Sequence, residues 1–296
     1  MAVSVVNMPE EGIVSQSEAK LSLKYVLWFG ALLIACYAPI LYRLAQQWAN
    51  DEDMGHGFFV PIVALYIAWQ RRSVLATLKP EPNYWGLVLI AWGAGQMMLG
   101  TLGVELFLAR TSLLISLVGV IWFLLGTKIL RALAFPLCLL LFMIPIPAIV
   151  YSRITLPLQM FASRVAEIVL GLVGIPVLRD GNVLELASQK LSVAEACSGI
   201  RSLLSLSFLS LVYAYFFDSK VWMRGVLLAA TIPIAIAANA ARVSVTGILS
   251  EVRTDLAQGL FHMLEGWVLF LIALGLLVLF HKIVNSIYRK FYAQPA

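Results

Sequence analysis

Three side chains in this sequence carry the chemistry of a reaction centre. Cys197 stands in Ala194-Glu195-Ala196-Cys197-Ser198-Gly199-Ile200-Arg201-Ser202, where a polar stretch meets the start of a long apolar run. A helix N-terminus has unpaired N–H groups and the positive end of the helix dipole, and both favour a thiolate over a thiol. Arg242 closes Asn239-Ala240-Ala241-Arg242 at the far end of another apolar run. Asn239 lies one turn earlier on the same face, where it can orient the guanidinium. His262, one of three histidines, opens the last apolar run. A cysteine nucleophile, a histidine that moves protons and an arginine that steadies a developing oxyanion form a complete acyl-transfer set. Each has a plainer reading beside it. Cys197 can be a small residue filling a gap, and Arg242 a helix-end cation snorkelling to the headgroups. His56, in Gly55-His56-Gly57, either lines the site or caps a helix, and His281 reads as interfacial.

The elements that must position these residues are membrane helices. Of 296 residues, 61% are hydrophobic and only 12% charged, with a mean hydropathy of +0.91. Soluble domains carry about 25% charged residues, so composition excludes an ordinary water-facing enzyme. Apolar runs of spanning length recur throughout, and the fold class is an all-α polytopic membrane protein. About eight spans are expected, near residues 25–42, 58–69, 84–102, 106–125, 130–150, 197–217, 221–241 and 261–280. They make one transmembrane domain over residues 25–282, with cytoplasmic tails at 1–24 and 283–296. The net charge of +5 fits basic cytoplasmic loops rather than nucleic-acid binding.

With the N-terminus inside, Arg71, Arg72, Lys79, Lys128, Arg131, Lys220, Arg224, Lys282, Arg289 and Lys290 fall in cytoplasmic segments, while the first outer loop holds Asp51, Glu52 and Asp53; Arg153, Arg164, Arg179, Lys190, Arg242 and Arg253 fall outside and read as a functional surface rather than an error of topology. The alternation then puts Cys197, Arg242 and His262 at one outer membrane face. Residues 154–177 are apolar but hold Pro157, Arg164 and Glu167, and read as an interfacial or re-entrant helix. Asp180-Gly181 is a turn signal, and Val183–Leu186 and Leu191–Val193 are strand-like, so a small outer-face β-hairpin leads into Cys197.

No rival constellation is present. The sequence has no phosphate-binding glycine loop, no Cys-x-x-Cys pair and no His-Glu-x-x-His helix. Asp51, Glu52 and Asp53 read as an exposed acidic loop, so neither metal nor cofactor is expected. Cys36 and Cys138 lie within apolar runs as small buried hydrophobes. Glycines within the spans read as packing residues.

The motif around Cys197 resembles the cysteine motif of the exosortase/archaeosortase family, Asn239-x-x-Arg242 resembles its arginine motif, and His262 resembles its histidine. The acidic stretch before Gly55-His56-Gly57, the run ending Trp69-Gln70-Arg71-Arg72, Pro145-Ile146-Pro147 and Gly181-Asn182 are also similar to that family. The resemblance covers residues 51–280. It implies a core-only bacterial member: an inner-membrane cysteine protease or transpeptidase with its site at the periplasmic face. Its implied partners are the bilayer and membrane-anchored proteins with a C-terminal PEP-CTERM-like sorting signal, in exopolysaccharide-making bacteria. Catalytic roles are implied for Cys197, Arg242 and His262. Asn239, Ser198, Glu195 and His56 form a weaker supporting set, and Arg179 and Arg201 would meet the acidic group of the signal. The other class of reading is a transporter or assembly factor for an exported polysaccharide, in which Cys197 is dispensable. Oligomeric state is left open.

Overall fold

The computed structural model describes residues 11–187, 189–193, 199–252 and 260–292. It is an all-α polytopic membrane protein with one small antiparallel sheet, and it forms two compact units, residues 1–145 and 146–296. Among the described residues, six helices are long and apolar enough to cross a membrane, at Lys24–Asn50, Trp85–Leu102, Leu106–Ala132, Ala148–Leu172, Val221–Glu251 and Gly266–Phe291.

The first unit comprises α1 (Glu11–Asn50), a 3-10 segment (Glu52–Phe58), α2 (Phe59–Gln70), α3 (Arg72–Thr77), α4 (Trp85–Leu102), α5 (Leu106–Ala132), α6 (Ala134–Leu139) and a second 3-10 turn (Leu140–Met143). Gly86, Gly93 and Gly100 recur every seventh residue along α4. A Cβ there would lie 2.4 Å from the Phe123 nitrogen, 2.2 Å from Ser116 Oγ and 2.6 Å from the Ala109 nitrogen, so the stripe lets α4 and α5 meet backbone to backbone. The Tyr37 hydroxyl of α1 adds a 2.9 Å bond to the Ser116 hydroxyl. Gly126 kinks α5 with φ of 83°, and a Cβ there would sit 2.0 Å from the Glu81 carbonyl oxygen. Only glycine suits that conformation and that approach.

The second unit begins with α7 (Ala148–Leu172), followed by strands β1 (Val177–Asp180), β2 (Val183–Leu186) and β3 (Lys190–Ser192). Three helices complete it: α8 (Gly199–Phe217), α9 (Val221–Val252) and α10 (Leu260–Tyr292). The inner face of the sheet offers Leu184 and Leu186 to a core with Ala162, Ala166 and Leu170 of α7 and Ala240 and Val243 of α9. Gly181, at φ of 62°, opens the two-residue turn between β1 and β2. The helices α8, α9 and α10 share a second core built on Leu206, Met223, Leu227, Ala235, Ala273 and Leu277.

Four expectations change. The run 130–150 is no continuous span: α5 continues to Ala132, and a short helix and a 3-10 turn follow. Pro145 and Pro147 lack an N–H and force the residue before each out of the helical region, as Ile144 shows with φ −95° and ψ 121°. Residues 154–177 are not re-entrant in form. They begin inside α7, an uninterrupted helix of 25 residues, and Glu167 is paired with Arg179 at 2.7 Å, which offsets its charge. α2, with 12 residues, is about 18 Å long and too short to span by itself. The hairpin is a three-stranded sheet, because Val177–Asp180 joins it.

Candidate functional site

The site centres on α9, the longest helix of the second unit's bundle after α10. At 32 residues it measures about 48 Å, against a hydrocarbon thickness of about 30 Å. Arg242 therefore stands within the helix, not at its end as the apolar run suggests, and about 32 Å from Val221. Helical continuation past Arg242 is explained by packing: Val243 is fully buried and Ala240 nearly so, against α7 and the sheet.

Arg242 borders a small cavity enclosed by three helices. α8 contributes Ser202 and Leu206, α9 contributes Ala235, Ala238, Asn239 and Arg242, and α10 contributes Gly266, Leu269, Phe270 and Ala273. Its floor is apolar, and its polar groups are one hydroxyl, one amide and one guanidinium. Asn239 is buried, at 8% exposure, one turn from Arg242. The guanidinium rests on the bare backbone of α10: a Cβ on Gly266 would lie 3.3 Å from Arg242 Nη2, 3.5 Å from Cζ and 3.8 Å from Nη1. Position 262 is one turn before Gly266 on the same helix face. A planar cation beside an amide and a hydroxyl, over an apolar floor, suits an oxygen that gains negative charge.

Cys197, with Glu195 and Ser198, lies outside the described residues, and His262 is described in its backbone only. The chain on both sides of Cys197 is placed. Val193 is fully buried in the cluster that holds Ala240 and Val243, the neighbours of Arg242. Four residues later comes Cys197, a reach of at most about 14 Å. On the other side α8 starts at Gly199, and Ser202 lines the cavity. The sheet is fixed to α7 and α9 by polar bonds: Gln189 Nε2 donates to Ser250 Oγ at 2.8 Å, Asn182 Nδ2 to Gln159 Oε1 at 3.1 Å, and Ser163 Oγ to the Gly181 carbonyl at 3.1 Å.

The remaining candidates separate. Arg201 lies in the first turn of α8, half-buried. Arg179 donates Nε to Glu167 at 2.7 Å and Nη1 to the Gly181 carbonyl at 3.3 Å, so part of its fork is engaged within the unit. His56 belongs to the first unit. Its Nε2 lies 3.2 Å from the Phe142 carbonyl, and burial, only partly countered by that bond, holds its pKa below the ordinary histidine value. Asp51 caps the 3-10 segment by accepting from the Asp53 N–H at 2.9 Å. Among the described residues, no three His, Cys, Asp or Glu side chains gather to hold a metal.

Ser202 and Gly266 were not singled out by the sequence, although the spacing of four from His262 to Gly266 is a legible signal. His281 is buried within the helix bundle: it is 5% exposed, with Nε2 2.9 Å from Asp218 Oδ2 and Nδ1 2.9 Å from the Tyr213 hydroxyl. Cys36 and Cys138 are exposed at the surface of the structure rather than buried. Arg110, at 5% exposure in α5, is a buried charge that the charge pattern alone did not single out.

The profile of one protein family, described as transmembrane exosortase, matches residues 48–279 of this chain. No curated protein and no solved structure matches it.

Proposed function

From the premise that the chain belongs to the transmembrane exosortase family, we propose that it is a membrane-embedded cysteine protease or transpeptidase. Its substrates are exported proteins with a C-terminal PEP-CTERM-like sorting signal, cut at the periplasmic face of the inner membrane. In this reading Cys197 attacks the peptide carbonyl next to the substrate's own span, and the carbonyl oxygen gains charge against Arg242. His262 gives a proton to the leaving amine, so that the C–N bond breaks and a thioester remains on Cys197. His262 then takes a proton from the acceptor, water or an amine, as it attacks the thioester and frees Cys197. Asn239 and Ser202 support the oxygen-binding side of the cavity.

The single observation that carries this reading is the seat of Arg242. Its guanidinium borders a cavity between the helix that follows Cys197 and the helix that bears His262. The test is co-expression with a protein bearing the signal, following its size on gels for wild type and for Cys197→Ala, Arg242→Ala and His262→Ala. All three variants should leave the substrate at full length. Continued processing by Cys197→Ala overturns the assignment of the nucleophile.

A further inference from the structure

α10 contains two glycines with opposite surroundings. A Cβ at Gly275 would meet nothing within 4 Å, whereas at Gly266 it would crowd Arg242 Nη2 at 3.3 Å, with Cζ at 3.5 Å and Nη1 at 3.8 Å in ordinary contact. Helix formation itself favours alanine over glycine at both positions. What distinguishes Gly266 is therefore what lies on it. The distance rises from Nη2 through Cζ to Nη1, so the fork rests on the helix surface with its Nη2 end closest. Gly266 also lines the cavity with Ser202, Asn239 and Arg242, one turn from His262 on the same face.

We propose that Gly266 is a positioning residue for Arg242: its missing side chain sets the depth at which the guanidinium stands in the cavity. The inference rests on the reading of Arg242 as the group that holds the reacting carbonyl oxygen. A methyl group at 266 moves the fork by a few tenths of an ångström, the amount by which 3.3 Å falls short of ordinary contact. Oxyanion donors work over a narrow span of about 2.7–3.1 Å, and loss of one such donor lowers kcat by roughly 10²–10³. Displacement without loss costs less, so Gly266→Ala is expected to lower kcat about tenfold, with KM within about twofold.

The experiment measures processing of a signal-bearing substrate by the purified full-length enzyme, per folded molecule, for wild type, Gly266→Ala, Gly275→Ala and Cys197→Ala. Gly266→Ala should fall about tenfold in kcat while Gly275→Ala stays within twofold of wild type. Equal activity of the two glycine variants overturns the inference. The pair Gly266→Ala with Arg242→Lys separates positioning from helix packing, because an ammonium has no planar fork to displace. Gly266→Ala should then add less than about twofold to the loss from Arg242→Lys, and a full tenfold loss there also overturns it. If Cys197→Ala still processes substrate, the proposed function fails; if it is silent and the glycine variants match, only the role of Gly266 fails.

Discussion

Asp218 and His281 meet at 2.9 Å, Oδ2 to Nε2, and join the turn between α8 and α9 to the C-terminal half of α10. Asp218 also accepts from the Lys220 N–H at 2.7 Å, Lys220 Nζ stands 3.5 Å from it and 2.9 Å from Asn285 Oδ1, and the Tyr213 hydroxyl completes the chain on the other ring nitrogen. These groups tie together the ends of three helices opposite to those that bear the candidate site.

Burial works to raise the Asp218 carboxyl, but its bonds from His281 and the Lys220 N–H, with the Lys220 charge, outweigh it and hold the pKa below 3.8. A lowered folded-state pKa stabilises the fold above the unfolded value, and the contribution is lost as pH falls through the folded one. The thermal unfolding midpoint of the detergent-extracted protein should therefore fall as pH drops below about 4. Asp218→Asn should flatten that dependence and lower the midpoint at pH 7, because removing one partner of a buried pair costs about 3–5 kcal/mol. An unchanged midpoint would count against the network as a structural tie.

Arg242→Lys keeps a positive charge but loses the planar fork that lies on Gly266. Processing is expected to fall by at least tenfold, corresponding to about 1.4 kcal/mol in the transition state, with the protein still extracted and folded. Near-wild-type turnover would assign Arg242 to anchoring alone.

Arg179→Ala should leave processing within about twofold of wild type. Its guanidinium is taken by Glu167 and the Gly181 carbonyl, and the pair is partly exposed, so its loss costs about 0–1 kcal/mol of stability. A large rise in KM would return Arg179 to a role in substrate binding.

Gly126→Ala should destabilise the first unit by more than about 2 kcal/mol, since it combines positive φ with a Cβ 2.0 Å from the Glu81 carbonyl oxygen. Gly30→Ala in α1, where a Cβ meets nothing within 4 Å, is the matched control. Thermal midpoints of the two variants check it.

Legibility followed the physics of each signal. Apolar length and the loss of charge fixed the class, and Asp180-Gly181 marked its turn because positive φ selects glycine. Pro157 misled, since α7 accommodates it within an unbroken helix whose Ala162, Ala166 and Leu170 pack into the core. Pro145 and Pro147 were read as the end of a span, yet the break begins before them. Val177–Asp180 carries a charged pair at its end and shows as a strand only through its register with Val183–Leu186. Around the site, residue types pointed to Arg242 and Asn239. By residue type Gly266 carries no signal in the sequence, because a glycine in a membrane helix has no chemistry of its own, and only its distance to Arg242 gives it meaning. The bonds of His281 required knowledge of which helix ends meet.

The length of α9 has one more consequence. Beyond Arg242 the helix continues for ten residues, and Ser250 near its end holds Gln189 of the sheet. A protein anchored in the same bilayer shares its zero of height with the enzyme. Under the proposed function, the distance from Val221 to Arg242 would then act as a gauge, selecting a bond by its elevation above the substrate's own span. Each residue inserted between that span and the bond shifts it by about 3.3 Å, so such an enzyme reads spacing as well as sequence.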